Sequence, residues 1–364
     1  MPGDAVERAP RRARPGRPPR ATAADVAALA GTSIATVSLV ANGKTTGRVS
    51  DDTTARVTAA IDSLGYVVDH AASALAKGSA DIVILVAPDL SNPYYGDVVA
   101  GIAETLGDRY QLLLSVSSTG EQPSTAALRR FMAVRPAGLL VDAPSAELVD
   151  ALPAGTVTVF LDAPGDRSAG LPTVNYDLGS AVDELVEHLA GEGHRTVAYL
   201  DSSTGTDTFT LRRTLFEAAA ARRGVAVVGP ASSLVEVSAA ARAVATEWPE
   251  WQTAGVTSVV CATDTQAYGA LAFARESDLR VPQDLAVAGF DNLPSSAVTA
   301  PGLTSVALPG AALGRTAAST LLGLLDRVDG PAPASSGVGV AGSTATTVDL
   351  AARLVIRGST QRAR

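Results

Sequence analysis

From Asp81 onward, short apolar runs alternate with helix-like stretches, and this alternation restricts the architecture more than any other feature of the chain. Ile82–Val86 precedes Gly96–Leu106, and Gln111–Val116 precedes Thr125–Val134. Gly138–Val141 and Thr156–Leu161 follow. The pattern resumes with Ser180–Ala190, Thr196–Leu200, Thr210–Arg223, Val225–Val228, Val256–Cys261, Thr265–Ser277 and Leu285–Phe290. Repeated strand–helix units predict parallel sheets covered by helices on both faces, and the length suits two such halves. Several apolar runs end in or near an acid: Asp89, Asp142, Asp162, Asp201, Asp264 and Asp291. In open parallel sheets ligands bind beyond the carboxyl ends of the strands. Any one such aspartate is expected to cap a helix or make a turn, but the set favours a polar ligand in a crevice.

The segment before residue 80 reads differently. Residues 1–78 hold 10 Lys+Arg and 7 Asp+Glu, the remainder 19 and 30, so a basic head precedes an acidic body although the whole carries −8. Six arginines lie in the first twenty residues. A head of this charge suits contact with phosphates. Thr22 with Asp25 predicts a capped helix, Gly31 its end, and Ser33 the cap of a second helix from Ile34 to about Ala41, closed by Asn42-Gly43. Two short helices joined by a glycine-containing turn are the helix-turn-helix pattern. Val37 and Val40 are expected to face inward, leaving Ile34, Ala35, Thr36, Ser38 and Leu39 to enter a major groove. A third helix, capped by Ser50 or Asp51, carries the stripe Val57, Ala60, Ile61, Leu64 and ends at Gly65.

The run Asp25-Val26-Ala27, Ala30-Gly31-Thr32-Ser33, Ala35-Thr36-Val37-Ser38, Asn42-Gly43, Val49-Ser50, Arg56-Val57 and Leu64-Gly65-Tyr66 closely resembles the headpiece of the LacI/GalR family. The body resembles the same family's sensor in Ser91-Asn92-Pro93-Tyr94-Tyr95, Gly193-His194-Arg195, Ala262-Thr263-Asp264, Ala288-Gly289-Phe290-Asp291-Asn292 and Leu303-Thr304-Ser305-Val306. The resemblance implies an all-α helix-turn-helix headpiece joined by a hinge helix to an α/β two-lobed, periplasmic-binding-protein-like domain with parallel sheets. The expected units are a basic arm (1–21), a DNA-binding domain (22–67), a hinge (68–79) and an effector-binding and dimerisation domain (80–364). In the last, lobe 1 takes about 80–175, 307–330 and part of the C-terminus, and lobe 2 about 176–306.

The implied function is a transcriptional regulator, a repressor, that binds double-stranded DNA at a near-palindromic operator as a homodimer. A small polar effector, expected to be a sugar, lies between the lobes. Thr22, Ser33, Ile34, Ala35, Thr36, Ser38, Leu39, Asn42, Lys44, Arg48, Tyr66, His70, Ala72 and Leu75 are the implied DNA contacts, with Leu75 a wedge in the minor groove. Tyr94, Tyr95, Asp162, Arg212, Thr263 and Asp291 are the implied effector contacts; Arg213 follows Arg212, and the sequence leaves open which one points inward. Three departures alter the operator: Leu39 stands where an arginine is common, Val67-Val68 where a proline enters the hinge, and the loop Gly43–Arg48 is slightly long. The Arg14–Arg20 arm has a Gly-Arg-Pro core similar to minor-groove arms, though a tail making electrostatic contacts alone is the simpler expectation.

Other classes fit less well. A sugar-uptake binding protein shares the body's fold but needs a signal peptide and no headpiece; the N-terminus lacks an apolar h-region. An enzyme needs a catalytic constellation, and neither a nucleophile elbow nor a paired acid/base motif is present. One cysteine, Cys261, and three scattered histidines argue against a disulfide framework or a metal site. Gly337–Gly342 matches GxGxxG but opens no helix after a strand, so it reads as a flexible loop. With no apolar run long enough to span a membrane, a cytoplasmic protein without cofactor is expected.

Overall fold

The computed structural model describes residues 21–41, 45–66, 80–87, 92–116, 124–165, 170–329 and 346–361. They fall into two compact units that divide at Ser73/Ala74.

The first unit holds α1 (Ala23–Ala30), α2 (Ile34–Ala41) and α3 (Asp51–Leu64). Local chemistry sets each boundary. Thr22 and Asp25 form a reciprocal capping box: the Asp25 carboxylate accepts from the Thr22 amide at 2.8 Å, and Asp25 N–H donates to Thr22 Oγ1 at 3.3 Å. Gly31 ends α1 at φ +62°, a conformation that a side chain would strain. Ser33 accepts from Thr36 N–H at 3.1 Å and starts α2. Ser50 caps α3, and Gly65 closes it. The chain bends by 102° between α1 and α2, within the helix-turn-helix range. Val26, Ala27, Ala30, Val37, Val57 and Ala60 are its buried core, with Val40, Ile61 and Tyr66 half-buried around them.

The second unit contains two six-stranded sheets. The first runs β11–β5–β4–β3–β1–β2: β1 (Ala80–Ala87), β2 (Gln111–Val116), β3 (Pro136–Asp142), β4 (Thr158–Leu161), β5 (Thr173–Asp177) and β11 (Thr347–Ala351). All of its pairings are parallel. The second runs β12–β10–β9–β8–β6–β7: β6 (Thr196–Ser202), β7 (Ala226–Ser233), β8 (Ser258–Cys261), β9 (Ala286–Asp291), β10 (Thr304–Ala307) and β12 (Arg353–Val355). It is parallel except where β12 runs against β10. The central strands β4, β8 and β9 are buried along their whole length, as parallel strands covered on both faces must be. Cys261 is fully buried in that core.

Helices α4 (Tyr94–Leu106), α5 (Thr125–Met132), α6 (Ala146–Ala151) and α11 (Gly310–Asp329) belong to the first lobe. Helices α7 (Gly179–Gly191), α8 (Asp207–Arg222), α9 (Val237–Thr253) and α10 (Asp264–Glu276) belong to the second. The tightest helix pair is α4 against α11. A Cβ on Gly101 would lie 2.1 Å from the Ala311 carbonyl oxygen, and one on Gly314 2.2 Å from that of Val98, so glycine alone permits this approach. The chain crosses between lobes after β5, after β10 and at Ala352, which links β11 directly to β12.

Candidate functional site

On the first unit, α2 presents Ile34, Ala35 and Ser38 to solvent, with Thr36 and Leu39 half-exposed and Val37 buried beneath them. Ile34 is 55% exposed, as is Leu29 on α1 at 58%. Arg48 is exposed beside this unit. Thr22 and Ser33 spend their hydroxyls on caps, and Tyr66 packs against the core, so these three also support the fold. Asn42, Lys44, His70, Ala72 and Leu75, the hinge helix and the arginine-rich arm lie outside the described residues.

The second unit encloses a cavity of about 810 Å³, mouth included, at the carboxyl ends of strands from both sheets. Tyr94, Tyr95, Asp162, Arg212, Thr263 and Asp291 all border it. Asp162 follows β4 in the first lobe; Arg212 on α8 and Asp291 at the end of β9 come from the second. Arg212 is 3% exposed. Its Nη1 donates to the Ala262 carbonyl at 2.7 Å and to Asp291 at 3.4 Å, and its Nη2 lies 3.9 Å from Asp162. The guanidinium also stands over the rings of Phe209 and Phe290, 5.2 and 5.4 Å from their centroids. Arg213 turns away to Asp201, which settles the ambiguity between the neighbouring arginines.

Further bonds surround this cluster, the first two of them crossing between the lobes and the other two lying within the first lobe. Asn92 donates to Asp291 at 3.2 Å, and Thr208 donates to Asp162 at 2.5 Å. Tyr95 donates to Asp142 at 2.7 Å, and the Tyr94 and Tyr176 hydroxyls meet at 2.7 Å. Thr263 caps α10 through Gln266 N–H. Ala143, Asp162 and Asp291 adopt positive φ, so half of the six described non-glycine residues in that region lie around the cavity. Such strain collects at functional sites. Arg212 Nε and Thr206 Oγ1 are buried and have no hydrogen-bond partner among the described residues.

The strand-end acids divide by role. Asp142, Asp162 and Asp291 line the cavity. Asp264 instead accepts from Leu293 N–H, Ser296 and Ser305 and is structural, and Asp201 holds Arg213. Asp89 lies outside the described residues. Sequence reasoning did not put forward Asn92, Thr204, Thr206, Thr208, Phe209 or Leu234–Glu236 as lining residues. The signal that existed was position: these loops follow β1, β6 and β7 at the same sheet edge.

Burial disfavours ionisation here. It pushes Asp142 up to about 8, helped by the charge of Asp162 and opposed by Tyr95 and Arg212. Burial likewise raises Asp291 to about 6 and Asp264 to about 7. Asp162 is also raised, burial outweighing Arg212 and Thr208. These groups hold protons in the fold that the unfolded chain releases near pH 4. Between about pH 4 and 8 the native state therefore binds more protons, and stability must fall as pH rises. Calorimetry of the ligand-free protein should give a lower Tm at pH 8 than at pH 5, and Asp142→Asn should flatten that difference. Parallel profiles for the two proteins would contradict the assignment.

A helix-turn-helix unit on the same chain as a hollow two-lobed body defines a transcription regulator that carries its own small-molecule sensor. Comparison with known proteins agrees. Residues 22–69 match the bacterial regulatory proteins of the lacI family, and residues 186–360 match the periplasmic binding protein-like domain. The chain is 29% identical over 322 residues to the HTH-type transcriptional regulator GntR of Pseudomonas aeruginosa, covering 85% of this chain and 90% of that protein. The lac repressor dimer bound to operator and the anti-inducer ONPF superposes with a TM-score of 0.75 at 24% identity, covering 94% of this chain and all of that one. The complex of the transcriptional regulator CelR with cellobiose gives 0.64 at 24% identity, covering 93% and all of that chain. The chain thus resembles the DNA-binding transcription regulators of the LacI/GalR family at both ends of its length.

Proposed function

We propose that this protein is a cytoplasmic repressor that binds a near-palindromic operator as a homodimer and senses a sugar held between its lobes. Residues 22–67 read DNA, 68–79 form the hinge, and the remainder senses effector and dimerises. The observation that carries the sugar reading is the cavity's unspent polarity: Arg212 Nε and Thr206 Oγ1 await partners beside three carboxyl groups and two tyrosines. Vicinal hydroxyls both donate and accept, so one ring satisfies such a set, while its C–H face packs on Phe209 and the tyrosines. The related CelR structure holds cellobiose.

Asn92–Asp291, Thr208–Asp162 and Arg212–Asp162 bridge the lobes, so a ligand that replaces or reinforces these bonds shifts lobe closure. Closure then sets the spacing of the hinge segments and operator affinity, a coupling between two sites through two states. In this reading the body acts by binding alone.

Gel-shift assays against the DNA upstream of the protein's own gene and its neighbours, at two salt concentrations, test this directly. Binding to a near-palindromic fragment that weakens with salt and changes with one sugar of a panel is expected. Failure to bind any fragment, with or without sugars, would overturn the reading.

A further inference from the structure

The outward side of α2 carries little polar chemistry. The helix from Ile34 to Ala41 contains no charged, amide or imidazole side chain. At about 100° per residue, Ile34, Ser38, Ala35 and Leu39 follow one another over an arc of about 140°. Val37 and Val40 point the other way, into the headpiece core. Ile34 is 55% exposed, Ala35 is exposed and Leu39 half-exposed, so apolar side chains occupy three of the four outward positions. The hydroxyls of the helix belong to Ser38 and to Thr36 at the edge of the arc. Thr36 Oγ1 lies 2.9 Å from Ser33 Oγ, within the cap of its own helix.

In a major groove this composition has a defined meaning. Guanine is read by Arg or Lys, adenine by Asn or Gln, and cytosine by Asp or Glu, each through hydrogen bonds. Hydroxyls bond to any base, and thymine alone offers a methyl group for apolar side chains to touch. Of these devices α2 holds the last two, and only the methyl contact discriminates.

We infer that α2 selects its operator through the C5-methyl groups of thymine, packed against Ile34, Ala35 and Leu39. This rests on the DNA-binding reading above and names the chemistry by which the helix tells bases apart. The methyl group lies in the major groove, so an arm or wedge in the minor groove cannot sense it. Because α2 carries no cation, its side chains contribute selectivity without adding to the salt dependence of binding.

The test uses the full-length protein, first to select binding sites from random duplex DNA. The enriched half-site should place thymine at two or more base pairs. Replacing one of these thymines by uracil in both half-sites removes methyl groups alone. It should weaken binding about tenfold or more, since one buried methyl is worth about fourfold and a dimer buries it twice. Exchanging the same pair for C·G should also weaken binding, and 5-methylcytosine should recover about tenfold of the loss. Ile34→Ala and Leu39→Ala change no charge and suit a helix. Each should remove most of the uracil penalty at one base pair while leaving the penalty at the other, and the salt slope, as they were. Equal uracil penalties in all three proteins, or none in any, would overturn the methyl inference and leave the DNA-binding reading standing. Enrichment of no sequence would sink the DNA-binding reading, and this inference with it.

Discussion

Replacing Arg212 by methionine is expected to cost the sensor about 3–5 kcal/mol and to abolish its response to effector while leaving operator binding intact. The side chain is 3% exposed, and so are its two acidic partners nearly so, at 7% for Asp162 and 5% for Asp291. Methionine has similar volume, so the loss is one of charge rather than packing. Two buried carboxyl groups would be left facing each other with only Thr208 and Asn92 to stabilise them. Removing one partner of a buried ion pair costs about this much because the remaining charge stays desolvated. For a unit this large the Tm should drop by on the order of 10 °C. A distinctive signature is expected in the pH dependence: the loss should shrink toward pH 5, where both carboxyls can take up protons. Lysine should rescue little, since an ammonium cannot present the planar fork that reaches Asp291, Asp162 and the Ala262 carbonyl together. Operator binding should survive because the headpiece is a separate compact unit. Scanning calorimetry at two pH values, with gel shifts in the presence and absence of effector, checks each part. A variant that keeps both its effector response and its Tm would show that the clamp is not where ligand and fold meet.

The arginine pair shows what the sequence could and could not convey. Consecutive helix residues differ in direction by about 100°, so Arg212 and Arg213 face different surroundings, but which faces inward depends on how α8 docks on its sheet. The strand-end aspartates pose the same problem. Their shared position marked the correct edge of both sheets, which is why Asp142, Asp162 and Asp291 reached the cavity. Nothing local separates them from Asp264, which turns back to hold Leu293, Ser296 and Ser305. The alternation from Asp81 onward was enough for two parallel sheets, because buried parallel strands are apolar on both faces. It missed α9, whose Ala-rich sequence carries Pro249, the helices α6 and α11, and the short strands β5, β10, β11 and β12, which have few residues in which to show a period. Thr204, Thr206 and Thr208 carried no signal of their own. They matter only because the loop after β6 delivers them to the place where the other lobe brings Asp162. The headpiece was the most legible part, since its caps and its glycine stops are short-range devices that act within a few residues of one another.

That small headpiece is also where one substitution should have the largest effect on DNA binding. Its core consists of six buried residues, four of them valine or alanine on α1 and α2 and two, Val57 and Ala60, on α3. Val57 is fully buried at the centre of α3. Val57→Asn would forfeit about 1.5 kcal/mol of apolar burial. It would also bury an amide without partners, at about 1–3 kcal/mol more. A core of this size supplies only about 3–5 kcal/mol in all, so the sum is enough to unfold the unit. Operator affinity is then expected to fall by more than about 100-fold, since a loss of about 3 kcal/mol exceeds two factors of ten. The sensor shares none of this core, so its own melting transition and its sugar binding should be unchanged. Thr36→Ala supplies the contrast: Thr36 is half-exposed on α2, and as a proposed groove contact its loss should lower affinity while the headpiece stays folded. Amide dispersion in NMR spectra, read alongside gel shifts, separates the two variants. Val57→Asn should collapse the headpiece resonances together with binding, and Thr36→Ala should lose affinity with its spectrum intact. If Val57→Asn instead bound operator normally, DNA recognition would have to reside outside the helix-turn-helix unit.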